Sequence, residues 1–191
     1  MNYLNLASIR PCTESEGPGK RFAIWCQGCL KRCPGCCNPE MQPIIQNHVV
    51  SIEKIEQVIL EAKKSKDIEG VSFIGGEPFL QAKGLSLLAK WCKAQDLSVL
   101  IFSGYTLEEL HESTFDGASD LLKYCDLLVD GQYDENQPDN SRPWVGSKNQ
   151  KVYNLSDFYP VGIEYEAKRA MELLISDEAV LINGWPYDMT T

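Results

Sequence analysis

The chain has 191 residues, 43% hydrophobic and 24% charged, and its 18 Lys+Arg against 27 Asp+Glu give a net charge of −9. That length is one domain, or one with an appendage, and buries enough surface to fold without covalent staples, so the eight cysteines need another explanation. No apolar run approaches a membrane span, MNYLNLASIR lacks the basic start and apolar centre of a signal peptide, and the acidic balance excludes nucleic acid as a bound partner. A reducing cytoplasm is the expected location, and there cysteines serve as metal ligands or buried thiols instead of disulfides. The charge is uneven, at +2 for residues 1–50, −7 for 51–150 and −4 for 151–191, so only the N-terminal quarter suits an anion.

In chain order, Tyr3 to Ile9 alternates as a strand, Cys12 to Gly19 reads as a loop, and Lys20 to Trp25 reads as a second strand. Cys26 to Pro43 holds three prolines and five cysteines, a composition that neither helix nor strand tolerates, so it is a loop that needs something to tie it down. Ser51 caps a helix with Ile52, Ile55, Val58, Ile59 and Ala62 on one stripe. A strand at 70–74, a helix from Gln81 to Ala94, a strand at 97–102 and a helix from Thr106 to Glu112 follow, the last opening on the capping box Thr106/Glu109. A short helix from Ser119 to Tyr124, a strand at 126–130, a polar loop to Gln150 and a strand at 151–155 complete the alternation. This is α/β patterning with a mostly parallel sheet, whose ligands sit at the carboxyl ends of the strands. AMELLIS and AVLING, around Asp177-Glu178, predict a C-terminal β-hairpin. Residues 1–155 are expected to form the core, and 156–191 an extension of the same compact unit.

Cys29, Cys33 and Cys36 spell CxxxCxxC, with Cys26 before and Cys37 after. Thiolates at offsets of four and three can converge on one iron-sulfur cube, and three ligands leave a fourth iron open for substrate or cofactor. Other readings stand beside this one. Cys26 with the triad could form a four-thiolate zinc site, though its cysteine pairs are closer than structural zinc sites use, or a closed ferredoxin-like cluster; the thiols could also simply pack. Gly75-Gly76-Glu77-Pro78 follows the third predicted strand, where two glycines let backbone approach a ligand and Glu77 can pair with an ammonium; alone, it could equally be a strand-to-helix turn. Lys20 and Arg21 read as a solvated strand start in preference to an anion-facing pair. Cys12, Cys92 and Cys125 read as packing thiols, and His48 and His111 as surface residues.

CxxxCxxC followed by GGEP resembles the radical S-adenosylmethionine (SAM) superfamily. GPGKR (17–21), QGCLKRCPGCCN (27–38), FIGGEP (73–78), SGYTLEEL (103–110), LLVDGQY (127–133) and PWVGSKNQ (143–150) resemble, in order, the activating proteins of the anaerobic ribonucleotide reductase. The resemblance implies a partial (β/α) barrel in which Cys29, Cys33 and Cys36 hold a 4Fe-4S cluster. Its open iron binds the amino and carboxylate groups of SAM, beside Gly75, Gly76, Glu77 and Pro78. Ser103 would meet the ribose, and Gly35 and Cys37 would lie beside the adenine. The implied activity is reductive cleavage of SAM to methionine and a 5′-deoxyadenosyl radical, which takes hydrogen from a glycine of a glycyl-radical enzyme such as anaerobic ribonucleotide reductase. An electron donor such as flavodoxin or ferredoxin is implied as second partner. The alternatives are the same core acting on a small molecule or peptide, or an iron-sulfur electron carrier. Three features depart from the family: Cys37 stands where an aromatic residue is usual, Cys26 where an apolar one is usual, and the hairpin beyond residue 160 is absent from the shortest activating proteins.

Overall fold

The computed structural model describes residues 2–166, 170–175 and 180–184. Strands β1 (Tyr3–Thr13) and β2 (Arg21–Cys26) form an antiparallel pair, and β3 (His48–Ser51) pairs antiparallel with the start of β1. Helix α1 (Ile52–Lys66) begins where the Lys54 amide donates to Ser51 Oγ at 3.3 Å. Two βα units follow, β4 (Gly70–Gly75) with α2 (Ala82–Ala94) and β5 (Ser98–Phe102) with α3 (Leu107–Glu112) and α4 (Ala118–Lys123), and then strand β6 (Leu127–Asp130). The Thr106/Glu109 capping box is formed at the head of α3. Strand β7 (Lys151–Asn154) returns antiparallel to β6, and after the single turn α5 (Ile163–Glu166) come β8 (Glu172–Ile175) and β9 (Val180–Asn183), paired as the predicted hairpin. The expected turn at Asp177-Glu178 lies outside the described residues.

The larger sheet has the order β3-β1-β2-β4-β5-β6-β7, and β2, β4, β5 and β6 are parallel neighbours in chain order. Among the described residues this mixed α/β sheet shows no closure, since β3 and β7 end it. The strand alternation sorts side chains between its two faces. Phe22, Ile24 and Cys26 of β2, Val71 and Phe73 of β4, and Val99 and Ile101 of β5 share one core with α1, α2 and α4, each aliphatic or aromatic side chain contributing about 1.5–3 kcal/mol by burial. The opposite residues, including Ala23, Trp25, Ile74, Leu100 and Phe102, form two smaller clusters on the face without those helices. Because the strands run in order without a reversal and the helices pack on one side, the other face is left for a site.

The structure differs from the sequence reading in four places. β1 runs on to Thr13, through a stretch read as loop, because register shifts between Leu6 and Ser8 and between Arg10 and Thr13 break the alternation that reveals a strand. β3 is too short to show a period and exists by pairing with β1. The 132–150 loop is ordered: Arg142 pairs with Asp139 at 2.6 Å and donates to the carbonyls of Gln150 and Ser147, while Trp144 and Val145 pack on Leu100, Leu127 and Val129. Arg21 is neither solvated nor anion-facing. It is fully buried, donating to Ser72 Oγ (2.7 Å), Val71 O (2.6 Å), Pro18 O (3.1 Å), Ser98 Oγ (3.0 Å) and Tyr159 Oη (2.8 Å), and burial lowers its pKa. Gly17 makes room for it, with φ +127° and a Cβ position only 2.4 Å from Leu100 Cδ2 and 2.9 Å from Arg21 Cδ.

Candidate functional site

The cysteine loop leaves the end of β2 and is tied at its base chiefly by backbone bonds, with Gln27 Nε2 also donating to Pro43 O at 2.9 Å. Gly28 N donates to Met41 O at 2.8 Å and Cys29 N to Gln42 O at 2.9 Å, closing the loop at its base through a short 3-10 turn at Pro39–Met41. Gly76 N donates to Cys26 O and Glu77 N to Gly28 O, at 2.8 and 2.7 Å, which lock the end of β4 against the same base. Gly76 is required there, because a Cβ would lie 2.3 Å from Gly28 O and 2.9 Å from Met41 O. Gly75 has φ +99°, a conformation that favours glycine.

Above these strand ends lies a cavity of about 1110 Å³. Cys29, Cys33, Cys36 and Cys37 border it on one side, and Gly75, Gly76 and Ser103 at the strand ends. Burial, followed by the nearby Tyr133 amide and the Cys36 and Cys29 thiols, sets the Cys33 pKa, with a net upward shift. Cys36 is shifted down by its hydrogen bond with Cys37, and the Asn38 amide also donates to its Sγ; a lowered thiol pKa favours the ligating thiolate. Among the described residues no three His, Cys, Asp or Glu side chains already stand together as a metal site, so the triad shares a cavity without meeting at a point. Cys26 lies on the other side of the sheet, fully buried in the helix-side core, and burial raises its thiol pKa strongly.

Gly35, Glu77 and Pro78 do not border the cavity. Gly35 is exposed, with φ +66°, beside Glu135. Glu77 is fully buried beneath the floor. Its Oε1 accepts from Phe79 N and Ser103 Oγ, both at 3.0 Å, and its Oε2 from Gly104 N at 2.9 Å. Burial pushes its carboxyl up to about 7. The carboxylate therefore joins the ends of β4 and β5. Ser103 gives its proton to Glu77 and accepts from Tyr105 N at 3.1 Å, leaving it an acceptor toward the cavity.

Sequence reasoning missed several cavity residues. Lys31 reaches back from the cysteine loop to Glu109 (2.9 Å) with its ammonium 4.1 Å from the centre of the Tyr105 ring, and the signal available was a cation inside a cysteine run. Trp144 borders the cavity edge-on to Phe102, and its buried indole N–H has no partner among the described residues. Glu16 also lines the cavity, pushed up to about 8 by burial and then by the Glu172 charge. Leu174, Ile182, Asn183 and Gly184 bring the C-terminal hairpin to the rim. No helix among the described residues is long and apolar enough to cross a membrane.

Three thiols, a glycine-built floor and an unpartnered buried donor fit an iron-sulfur centre with a polar ligand beside it. The family described as "4Fe-4S single cluster domain" matches residues 15–153. Three relatives share the printed name anaerobic ribonucleoside-triphosphate reductase-activating protein. The relative from Vibrio cholerae is 30% identical over 80% of this chain and 99% of its own length, and that from Pasteurella multocida 30% over 81% and 100%. The relative from bacteriophage T4 is 28% identical over 81% of this chain and 96% of its own. The chain belongs to this family of activating proteins and carries its 4Fe-4S domain.

Proposed function

We propose that the protein is a radical SAM enzyme that activates an anaerobic ribonucleoside-triphosphate reductase by taking hydrogen from a glycine of that partner. The observation that carries this is that Cys29, Cys33 and Cys36 and the Gly75-Gly76 end of β4 border one cavity. In this reading those thiolates hold the cluster, residues 1–155 form the core, a partial barrel curved around the cavity, and 156–191 extend the same unit. A cluster held there, reduced by an outside donor, would supply the one electron that cleaves SAM to methionine and a 5′-deoxyadenosyl radical, which would take hydrogen from the glycine.

The residues divide the remaining work. The backbone of Gly75 and Gly76 comes close to the methionine group because neither carries a side chain. Glu77 acts from below, holding Ser103 and Gly104 in place and adding negative charge beneath the ammonium, with no direct pairing. Ser103 accepts from a ribose hydroxyl, and Trp144 offers its free indole N–H. Cys37 stays a neutral thiol beside the adenine, with the Gly35 turn behind it. A cavity of about 1110 Å³ lies at or above the upper end of ordinary small-ligand sites, leaving room for SAM and a segment of the partner. A flavodoxin or ferredoxin of the cytoplasm serves as electron donor.

The test is anaerobic reconstitution with iron and sulfide, then a chemical reductant and SAM. 5′-Deoxyadenosine should form, and a glycyl radical should appear by paramagnetic resonance when the reductase is added. An iron-loaded protein whose cluster signal ignores SAM would instead be an electron carrier.

A further inference from the structure

The β8–β9 hairpin is latched beside the cavity by polar contacts from one face. Asn183 Nδ2 donates to Thr13 Oγ1 at 2.9 Å and Ser15 Oγ at 2.8 Å. Opposite it in register, Glu172 accepts from Arg10 at 3.0 Å and from the Glu14 amide at 2.8 Å. Leu174, on the same face by strand alternation, continues this side to the cavity rim. The other face carries Leu173 and its register partner Ile182, with Ile175 two residues on; they are 55%, 61% and 75% exposed. Large aliphatic side chains held outward in a row beside a site mark an interaction surface.

The match to the family ends at residue 153, ahead of the hairpin, and the relatives span nearly their full length while covering about four-fifths of this chain. The hairpin is therefore an addition to a core that the relatives already have. It is not needed to build that core's site, yet it sits at its mouth.

We propose that the outward face of the hairpin, Leu173, Ile175 and Ile182, is a docking shelf for the polypeptide that delivers its glycine to the cavity. This rests on the function proposed above. The occupant is a segment of the partner reductase, because the shelf is continuous through Ile182, which itself borders the cavity, with the space that segment must enter. Its contact surface is apolar with a basic margin, complementing a stretch, residues 151–191, with three Lys/Arg against seven Asp/Glu. Leu173 and Ile175 do not border the cavity, so their substitution leaves SAM chemistry alone.

The full-length reconstituted protein with Leu173→Asp and Ile175→Asp should keep its iron and its 5′-deoxyadenosine formation without partner. Its affinity for the anaerobic reductase of the same source, measured anaerobically by calorimetry, should fall at least tenfold, with a matching loss of glycyl radical at limiting concentrations. Unchanged affinity and radical yield would overturn the proposal. So would a self-associated wild-type protein that the substitutions split while reductase affinity stays the same. Should the double variant lose its iron, a photo-crosslinking benzoylphenylalanine at position 173, which keeps the site apolar, decides the matter. Crosslinks to the reductase support the shelf, and crosslinks to a second copy, or none, refute it. Reductase binding that depends on these residues, in a protein that forms no 5′-deoxyadenosine, would sink the SAM reading and leave the shelf standing.

Discussion

Which way each thiol points separates cysteines that look alike in sequence. Cys26 stands two residues after Ile24 on β2, and a strand's period of two sends it into the helix-side core, away from Cys29, Cys33 and Cys36. A four-cysteine site would require Cys26 to leave that core. Buried Cys92 and Cys125 have their thiol pKa values raised by desolvation, which keeps them protonated and poor ligands. Replacing Cys29, Cys33 or Cys36 with alanine is expected to abolish cluster binding, read as iron per chain. Cys26→Ala should retain full iron and SAM response while losing about 1 kcal/mol of stability in urea, the scale of a small cavity.

Single elements are placed by groups from other elements. β2 begins on Arg21, whose guanidinium ties the 16–18 loop to β4, to β5 and to Tyr159 beyond β7. Arg21→Met removes the donor of every one of those bonds and strands acceptors in a buried place, so a loss of about 3 kcal/mol or more is expected in denaturant unfolding. The cysteine loop depends in the same way on the end of β4. Gly76→Ala would press a methyl group against the Gly28 and Met41 carbonyls, both backbone atoms that cannot rotate away. The expected result is a folded protein with native far-ultraviolet dichroism whose iron content and SAM affinity both fall. Native iron loading in that variant would show that the loop tolerates the shift.

For the whole molecule, two buried carboxyls set a pH dependence. Glu77 and Glu16 have pKa values raised to about 7 and about 8, chiefly by burial, above the 4.5 of a free glutamate. As pH rises, the unfolded chain releases these protons first. The stability they contribute is complete below about pH 4.5 and is lost as pH climbs through their folded values, at up to about 1.4 kcal/mol per pH unit for each group. The Glu16 effect is the smaller, because that side chain keeps contact with the cavity. Urea unfolding at pH 5, 6, 7 and 8 should show stability falling in the wild type and a flatter profile in the Glu16→Gln/Glu77→Gln variant; parallel profiles would discount both groups. Much of this molecule was legible in its sequence. The alternation of β4, α2, β5 and β6, the Ser51 and Thr106 caps and the C-terminal hairpin all follow from local period and capping chemistry, which neighbouring residues decide among themselves. CxxxCxxC and GGEP point to a ligand site through their short spacings, and Cys29, Cys33, Cys36, Gly75 and Gly76 do border one cavity. Nothing local reveals that Arg21 is buried, that Glu77 lies under the floor joining two strand ends, or that Lys31, Trp144 and the hairpin reach the cavity from chain positions far apart. Those placements belong to the sheet, since strand pairing and a shared face bring distant residues together, and only the assembled fold decides whether a charged side chain meets water or a ring of carbonyls.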